Sequence, residues 1–151
     1  RRFFYLPKSD MYMRRKHLHI DIMQNMDWYA SLIKPPLTPP DQVFMIVWPV
    51  LYAMIGISFL IFLKTKETQK KSAGIFAFVV QAGLNLLWAP FFFGLKSPKA
   101  SLAVLCLLLY FLARTIRIFY NGSKTAFFLL LPYGIWILFA LYLNIGIVAL
   151  N

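Results

Sequence analysis

Four uncharged or nearly uncharged apolar runs, at residues 43–63, 73–94, 100–120 and 126–150, decide what this chain can fold into. A helix rising about 1.5 Å per residue crosses the roughly 30 Å hydrocarbon layer of a bilayer in about 20 residues, and each run has that length. Lipid offers a backbone no hydrogen bonds, so only helices or closed barrels cross it, and long runs without alternation are helices. The charged residues inside these limits are Arg114 and Arg117, near the end of the third run, where long stems carry the charge to the interface. Composition agrees: 60% of the 151 residues are hydrophobic and 14% charged, where a soluble domain has about 45–50% and about 25%. A chain this short lacks the interior to hide such an excess from water. The expectation is an all-α integral membrane helical bundle, multi-pass, with four clear transmembrane helices and the lipid bilayer as its first partner.

The charges are lopsided, 16 Lys plus Arg against 5 Asp plus Glu, for a formal net charge of +11. They lie between and at the ends of the apolar runs, so no continuous patch follows a phosphate backbone, and nucleic acid is not expected as a partner. Short connections make consecutive spans antiparallel neighbours. Lys64, Lys66, Lys70, Lys71, Arg114, Arg117 and Lys124 then share one end, with Lys34, Lys96 and Lys99 at the other. The positive-inside rule favours the first group on the cytoplasmic side, against six further basic residues in the front segment. Residues 1–27 mix Arg14, Arg15, Lys16, His17 and His19 with short apolar patches, too polar to span and without the apolar core of a signal peptide; they read as a basic interfacial or poorly ordered arm. Cys106, alone in an apolar run, offers neither a disulfide nor a thiolate metal site and reads as a small core residue.

Polar groups inside a bilayer are costly, so function is sought there first. Gln81, Asn85 and Trp88 fall at i, i+4 and i+7 of the second run, on one helical face. Trp136, Ala140 and Asn144 repeat the pattern on the last run, and Phe44, Trp48 and Tyr52 on the first. Facing one another, these stripes would line an aromatic cleft in which Asn85, Trp48 and Trp136 direct hydrogen bonds to a flat apolar ligand. The same residues serve equally well as glue between helices, and spacing leaves both readings standing. Pro49, Pro90 and Pro132 add bends that open clefts. Residues 28–44 are the most distinctive stretch: Pro35, Pro36, Pro39 and Pro40 stiffen it and exclude helix until Asp41, a candidate N-cap. With Trp28, Tyr29 and Leu32 it reads as a lid loop or as a plain connector.

Trp28, Tyr29, Leu32, Lys34, Pro35, Pro39, Pro40, Val43, Phe44, Val47, Trp48, Leu51 and Tyr52 resemble the opening signature of the translocator protein family, the tryptophan-rich sensory proteins once called peripheral benzodiazepine receptors. Gln81, Leu84, Asn85, Trp88, Phe92, Phe93 and Gly94, then Pro132, Tyr133, Trp136, Phe139, Ala140, Leu143, Asn144 and Asn151, continue the resemblance over residues 28–151. It implies a membrane bundle that binds porphyrins, and in some members sterols, tryptophan or benzodiazepine-type drugs, in a pocket under the first loop, and that forms homodimers. By position, Trp48 and Asn85 match polar pocket contacts, and Tyr29, Trp136 and Ala140 match its wall and lid. The family pattern has five spans, the first just before the Trp28 loop; residues 1–27 lack the composition of that span, and Leu37 stands where the family often has an aromatic residue.

No catalytic constellation is visible: Asp10, Asp21, Asp27, Asp41 and Glu67 all lie outside the spans, and His17 and His19 have no third ligand nearby, so no metal site is expected. The candidate ligand-binding set is Tyr29, Trp48, Asn85, Trp88, Trp136, Ala140 and Asn144, with Trp28, Pro39 and Pro40 in the lid. The expected ligand is a porphyrin held without a tightly bound cofactor, by a receptor or sensor. Light-dependent porphyrin breakdown and transport of small hydrophobic molecules are the alternatives. Residues 107–114 fit a loose sterol-contact pattern that apolar helices often meet by chance. Ala73 and Ala77 are spaced for close helix contact in a dimer.

Overall fold

The computed structural model describes residues 8–66 and 70–151. All regular structure in them is helical: α1 (Lys8–Ser31), α2 (Asp41–Leu63), α3 (Lys71–Ala89), a π-helical turn (Pro90–Gly94), α4 (Pro98–Gly122) and α5 (Lys124–Leu150). Four helical stretches are long and apolar enough to cross a membrane, and they coincide with the four runs to within a few residues. The chain divides into two compact units, one ending at Leu32 and the other running from Ile33 to Asn151.

In the first unit, residues 8–31 form one helix; of the arm read at residues 1–27, residues 1–7 lie outside the described residues. No Gly or Pro interrupts them, so nothing in the segment breaks a helix. The helix runs through residues 28–31, so Trp28 and Tyr29 lie on its last turn instead of in a loop. The Ser31 hydroxyl donates to the Trp28 carbonyl at 2.7 Å and the Leu32 amide to the Tyr29 carbonyl at 3.3 Å, satisfying carbonyls left open at the helix end. His17 and His19 are exposed.

In the second unit the close backbone neighbours are α3 with α4, α4 with α5, and α2 with α5; α2 and α3 meet chiefly through side chains. Phe62, at the end of α2, shows how the ends are locked. Its ring stacks on Phe119 at 3.9 Å and enters a slot between Gly74 of α3 and Gly122 of α4, where an added Cβ would approach the ring to 2.8 Å on either side. These contacts gather one end of α2, α3 and α4 at a common level, with the start of α5 beside them: the buried Ser58 hydroxyl donates to the Ala126 carbonyl at 2.7 Å. The spans therefore run up and down alternately, as their short connections required.

Capping is local. Ser97 and Ser123 accept from the amides of Ala100 and Ala126, both at 3.3 Å, and so start α4 and α5. Asp41 is not the cap expected: Pro40 holds that position without a side-chain bond, and Asp41 opens the first turn, where its charge complements the helix dipole. Pro90 lacks the amide that would continue the α-helical ladder, and the chain widens into the π-helical turn, closed by the Leu95 amide donating to the Pro90 carbonyl at 3.0 Å. Cys106 is exposed on α4, not in the core, because Leu105 and Leu108 take the inward positions of that turn. Ala77 is buried inside the bundle and Ala73 half-buried, so Ala77 packs within the chain and is not open to a second copy.

Candidate functional site

The aromatic stripe of α2 meets Trp136 of α5. Phe44 lies edge-on to Trp136 at 5.5 Å, Trp48 edge-on at 6.4 Å, and Trp48 stacks on Tyr52 at 5.3 Å. From the third side, Asn85 of α3 accepts the Tyr52 hydroxyl on its Oδ1 at 2.8 Å. Ala140, one turn along α5 from Trp136, is half-buried against the same core. Thus Trp48 meets Trp136 directly and Asn85 joins them through Tyr52, which, seen in the sequence only as an aromatic of the stripe, ties α2 to α3.

The indole N–H of Trp136 is fully buried and has no hydrogen-bond partner among the described residues. Such a donor in a low-dielectric site costs about 1–3 kcal/mol, so most native interiors avoid it. Its surroundings are ring faces and edges, suited to a flat partner that brings its own acceptor.

Trp88 and Asn144 behave differently. Asn144, 1% exposed, accepts from Trp88 Nε1 at 3.2 Å and lies 3.0 Å from the Ser101 hydroxyl, while its Nδ2 donates to the Pro98 carbonyl at 2.9 Å. The carboxamide thereby joins the end of α3, the start of α4 and the interior of α5. Trp88 also stacks on Phe92 of the π-helical turn at 5.2 Å. The arrangement is that of inter-helix glue, and Ser101, which completes it, carried no signal in the sequence beyond lying near a helix start. Gln81 accepts the Tyr133 hydroxyl at 3.0 Å, both residues sealed, and its Nε2 has no partner among the described residues.

The proline-rich connector is pinned to α5. Asn151 accepts the Ile33 amide and donates to the Ile33 carbonyl, each at 2.9 Å, and the Tyr142 hydroxyl donates to the Pro36 carbonyl at 2.7 Å. Pro35 is buried against Gly146, where a Cβ would come within 2.7 Å of Pro35 Cγ. Leu37, 81% exposed, takes a left-handed φ of 68° at the turn. Pro39 and Pro40 lead directly into α2, so their fixed backbone sets where the stripe of Phe44, Trp48 and Tyr52 begins. Trp28 and Tyr29 belong to the first unit.

The model of the TspO/MBR family matches residues 16–150, starting within α1, earlier than the resemblance over residues 28–151. The tryptophan-rich protein TspO of Chlorobaculum tepidum is 40% identical over 125 residues, which cover 82% of this chain and 79% of that protein. A tryptophan-rich sensory protein of Cereibacter sphaeroides is 31% identical, covering 83% and 77%, and the human translocator protein 34%, covering 80% and 73%. Four membrane-length helices, the Trp48, Asn85 and Trp136 cluster and a match along most of the sequence lead to one conclusion: this chain is an integral, multi-pass membrane protein of the TspO/MBR family.

Proposed function

We propose that this chain is a membrane receptor or sensor that binds porphyrins and related flat hydrophobic ligands between α2, α3 and α5, with no tightly bound cofactor. The observation that carries the reading is the unpartnered Trp136 N–H, set among the rings of Phe44 and Trp48. A tetrapyrrole replaces ring-on-ring contacts of similar energy with ring-on-macrocycle contacts, each about 0.5–1.5 kcal/mol beyond burial. A carboxylate or carbonyl acceptor on the ligand relieves the buried donor, and the Asn85 carboxamide supplies a second directed contact. Names among the relatives, sensory protein and translocator protein, support a role in sensing or handling a ligand. A homodimer belongs to the same proposal, on a face other than the buried Ala77 edge.

The test is titration of protoporphyrin or hemin into detergent-solubilised protein, following the Soret band and tryptophan fluorescence. Saturable quenching with a shifted Soret band is expected. A linear, non-saturating response equal to that of empty micelles would overturn the proposal.

A further inference from the structure

The outer face of α4 and α5 carries a groove that the aromatic cluster does not use. It has a volume of about 250 Å³ and is lined by Leu109, Ala113, Ile116, Gly134 and Leu138 among others, every lining residue being apolar. Gly134 keeps the hollow open, since a Cβ there would occupy it and touch Ile116 at 3.4 Å. Beside it, sharing Ala113, a second recess of about 200 Å³ is bounded by Tyr110, Arg114 and Arg117.

The two recesses lie side by side on α4 and overlap in depth. Counting about 1.5 Å per residue back from Gly122, Arg117 lies about 8 Å and Arg114 about 12 Å from the end of α4, while Leu109 lies about 20 Å deep. The apolar groove, which Ile116 opens at about 9 Å, thus starts at the level of the arginines and continues past them into the hydrocarbon. Both are exposed, and the Arg114 guanidinium carbon lies 6.0 Å from the Tyr110 ring centre. No carboxylate among the described residues pairs with either arginine. Two of the other cations at this end are engaged: Lys71 donates to the Thr65 carbonyl at 2.8 Å, and the Lys124 ammonium sits over the Tyr120 ring. Two guanidinium groups with no carboxylate partner among the described residues, carried by their stems from backbone positions about 8 and 12 Å inside the helix end towards the interface, call for an anion at headgroup level. The end of the bundle on which they lie carries seven basic residues, and that charge attracts an anionic leaflet.

We propose that Arg114 and Arg117 hold the phosphate of an anionic glycerophospholipid whose acyl chain occupies the groove between α4 and α5. Charge complementarity selects the occupant: a sterol has no anion for the arginines, and the choline of a zwitterionic lipid opposes the phosphate. The proposal is independent of porphyrin binding, which uses other helix faces.

The test is native mass spectrometry of the full chain in micelles titrated with palmitoyl-oleoyl phosphatidylglycerol, the matching phosphatidylcholine, or cholesterol. The wild type should retain one phosphatidylglycerol in preference to the other two. Arg114→Gln should weaken it about fivefold and the pair Arg114→Gln with Arg117→Gln about 30-fold. Lys96→Gln with Lys99→Gln, the same charge change at the other end, should leave it unaltered. Ala113→Phe, which fills the groove from an exposed position and leaves every charge in place, should also weaken binding. Unchanged retention in the double arginine variant, equal loss in the lysine pair, or equal retention of phosphatidylcholine or cholesterol would each overturn the proposal.

Discussion

Asn144→Leu and Trp136→Phe, two substitutions on one face of α5, should have opposite consequences. Leu keeps the branched outline of Asn, with methyls larger than the oxygen and amino group they replace, and removes the acceptor of Trp88 Nε1 and the donor to the Pro98 carbonyl. The Ser101 hydroxyl keeps an acceptor, the Pro98 carbonyl at 2.9 Å, so the main casualty is the Trp88 N–H. Side-chain hydrogen bonds inside membranes average about 0.6 kcal/mol and reach about 1.7, so losing two from a sealed site should cost about 1–3 kcal/mol. Trp136→Phe loses ring contact worth about 1 kcal/mol with Phe44 and Trp48, but it also removes a buried donor that already lacks a partner, and the two effects nearly cancel. Unfolding in mixed micelles should therefore show Asn144→Leu clearly destabilised and Trp136→Phe close to wild type. Porphyrin affinity, read from the Soret band, should stay within about twofold for Asn144→Leu and fall about tenfold for Trp136→Phe, the worth of one hydrogen bond of about 1.4 kcal/mol. The reverse pattern, with Asn144→Leu binding weakly and Trp136→Phe binding normally, would refute the division of the stripe into glue and site.

Gly74→Ala should destabilise by about 1–3 kcal/mol, because the Phe62 ring it meets at 2.8 Å is held by Phe119 and Gly122 and cannot retreat; adding Phe62→Leu should recover part of the loss, which a thermal melt of the double variant would show. Asn151→Ala removes both bonds to Ile33 and should raise hydrogen exchange across residues 33–40 without moving the bundle's midpoint by more than about 1 kcal/mol. Leu37→Gly should stabilise slightly, by up to about 1 kcal/mol, since an exposed leucine at φ 68° loses no packing and glycine accepts that backbone freely; a lower melting temperature would show that the turn is not strained. Tyr52→Phe breaks the link to Asn85 across the α2–α3 seam and should speed porphyrin association about threefold in stopped flow, the equivalent of about 0.6 kcal/mol.

Much of the fold was legible because lipid leaves a chain few choices: once a run of about 20 apolar residues is seen, helix, length and alternating direction follow. The ends of α2, α3, α4 and α5 moved by only a few residues from the runs that announced them. The segment before Trp28 was harder. Its charges spoke against a span, and they still do, but charge says nothing about helix propensity, and 24 residues free of Gly and Pro form α1. Cys106 and Ala77 went astray for a related reason: apolar residues surround both faces of a membrane helix, so hydropathy cannot tell core from lipid, and only contact does.

The polar stripes show where spacing stops being informative. Asn85 and Trp88 are less than one turn apart on α3, yet one reaches Tyr52 of α2 and the other Asn144 of α5. Periodicity fixes the face of a helix, but the partner depends on which neighbour crosses at that depth, and this was set elsewhere, by Phe62 entering its glycine slot and by Ser58 bringing α2 against the start of α5. Phe62 ties the end of α2 to α3 and α4 and Ser58 ties it to α5, while further along the α2–α3 seam is left to side chains. The same packing that uses Trp88 and Asn144 to close one junction leaves Trp136 with a donor unmet among the described residues against Phe44 and Trp48, so the proposed ligand site and a structural lock lie within two or three turns of each other on α5.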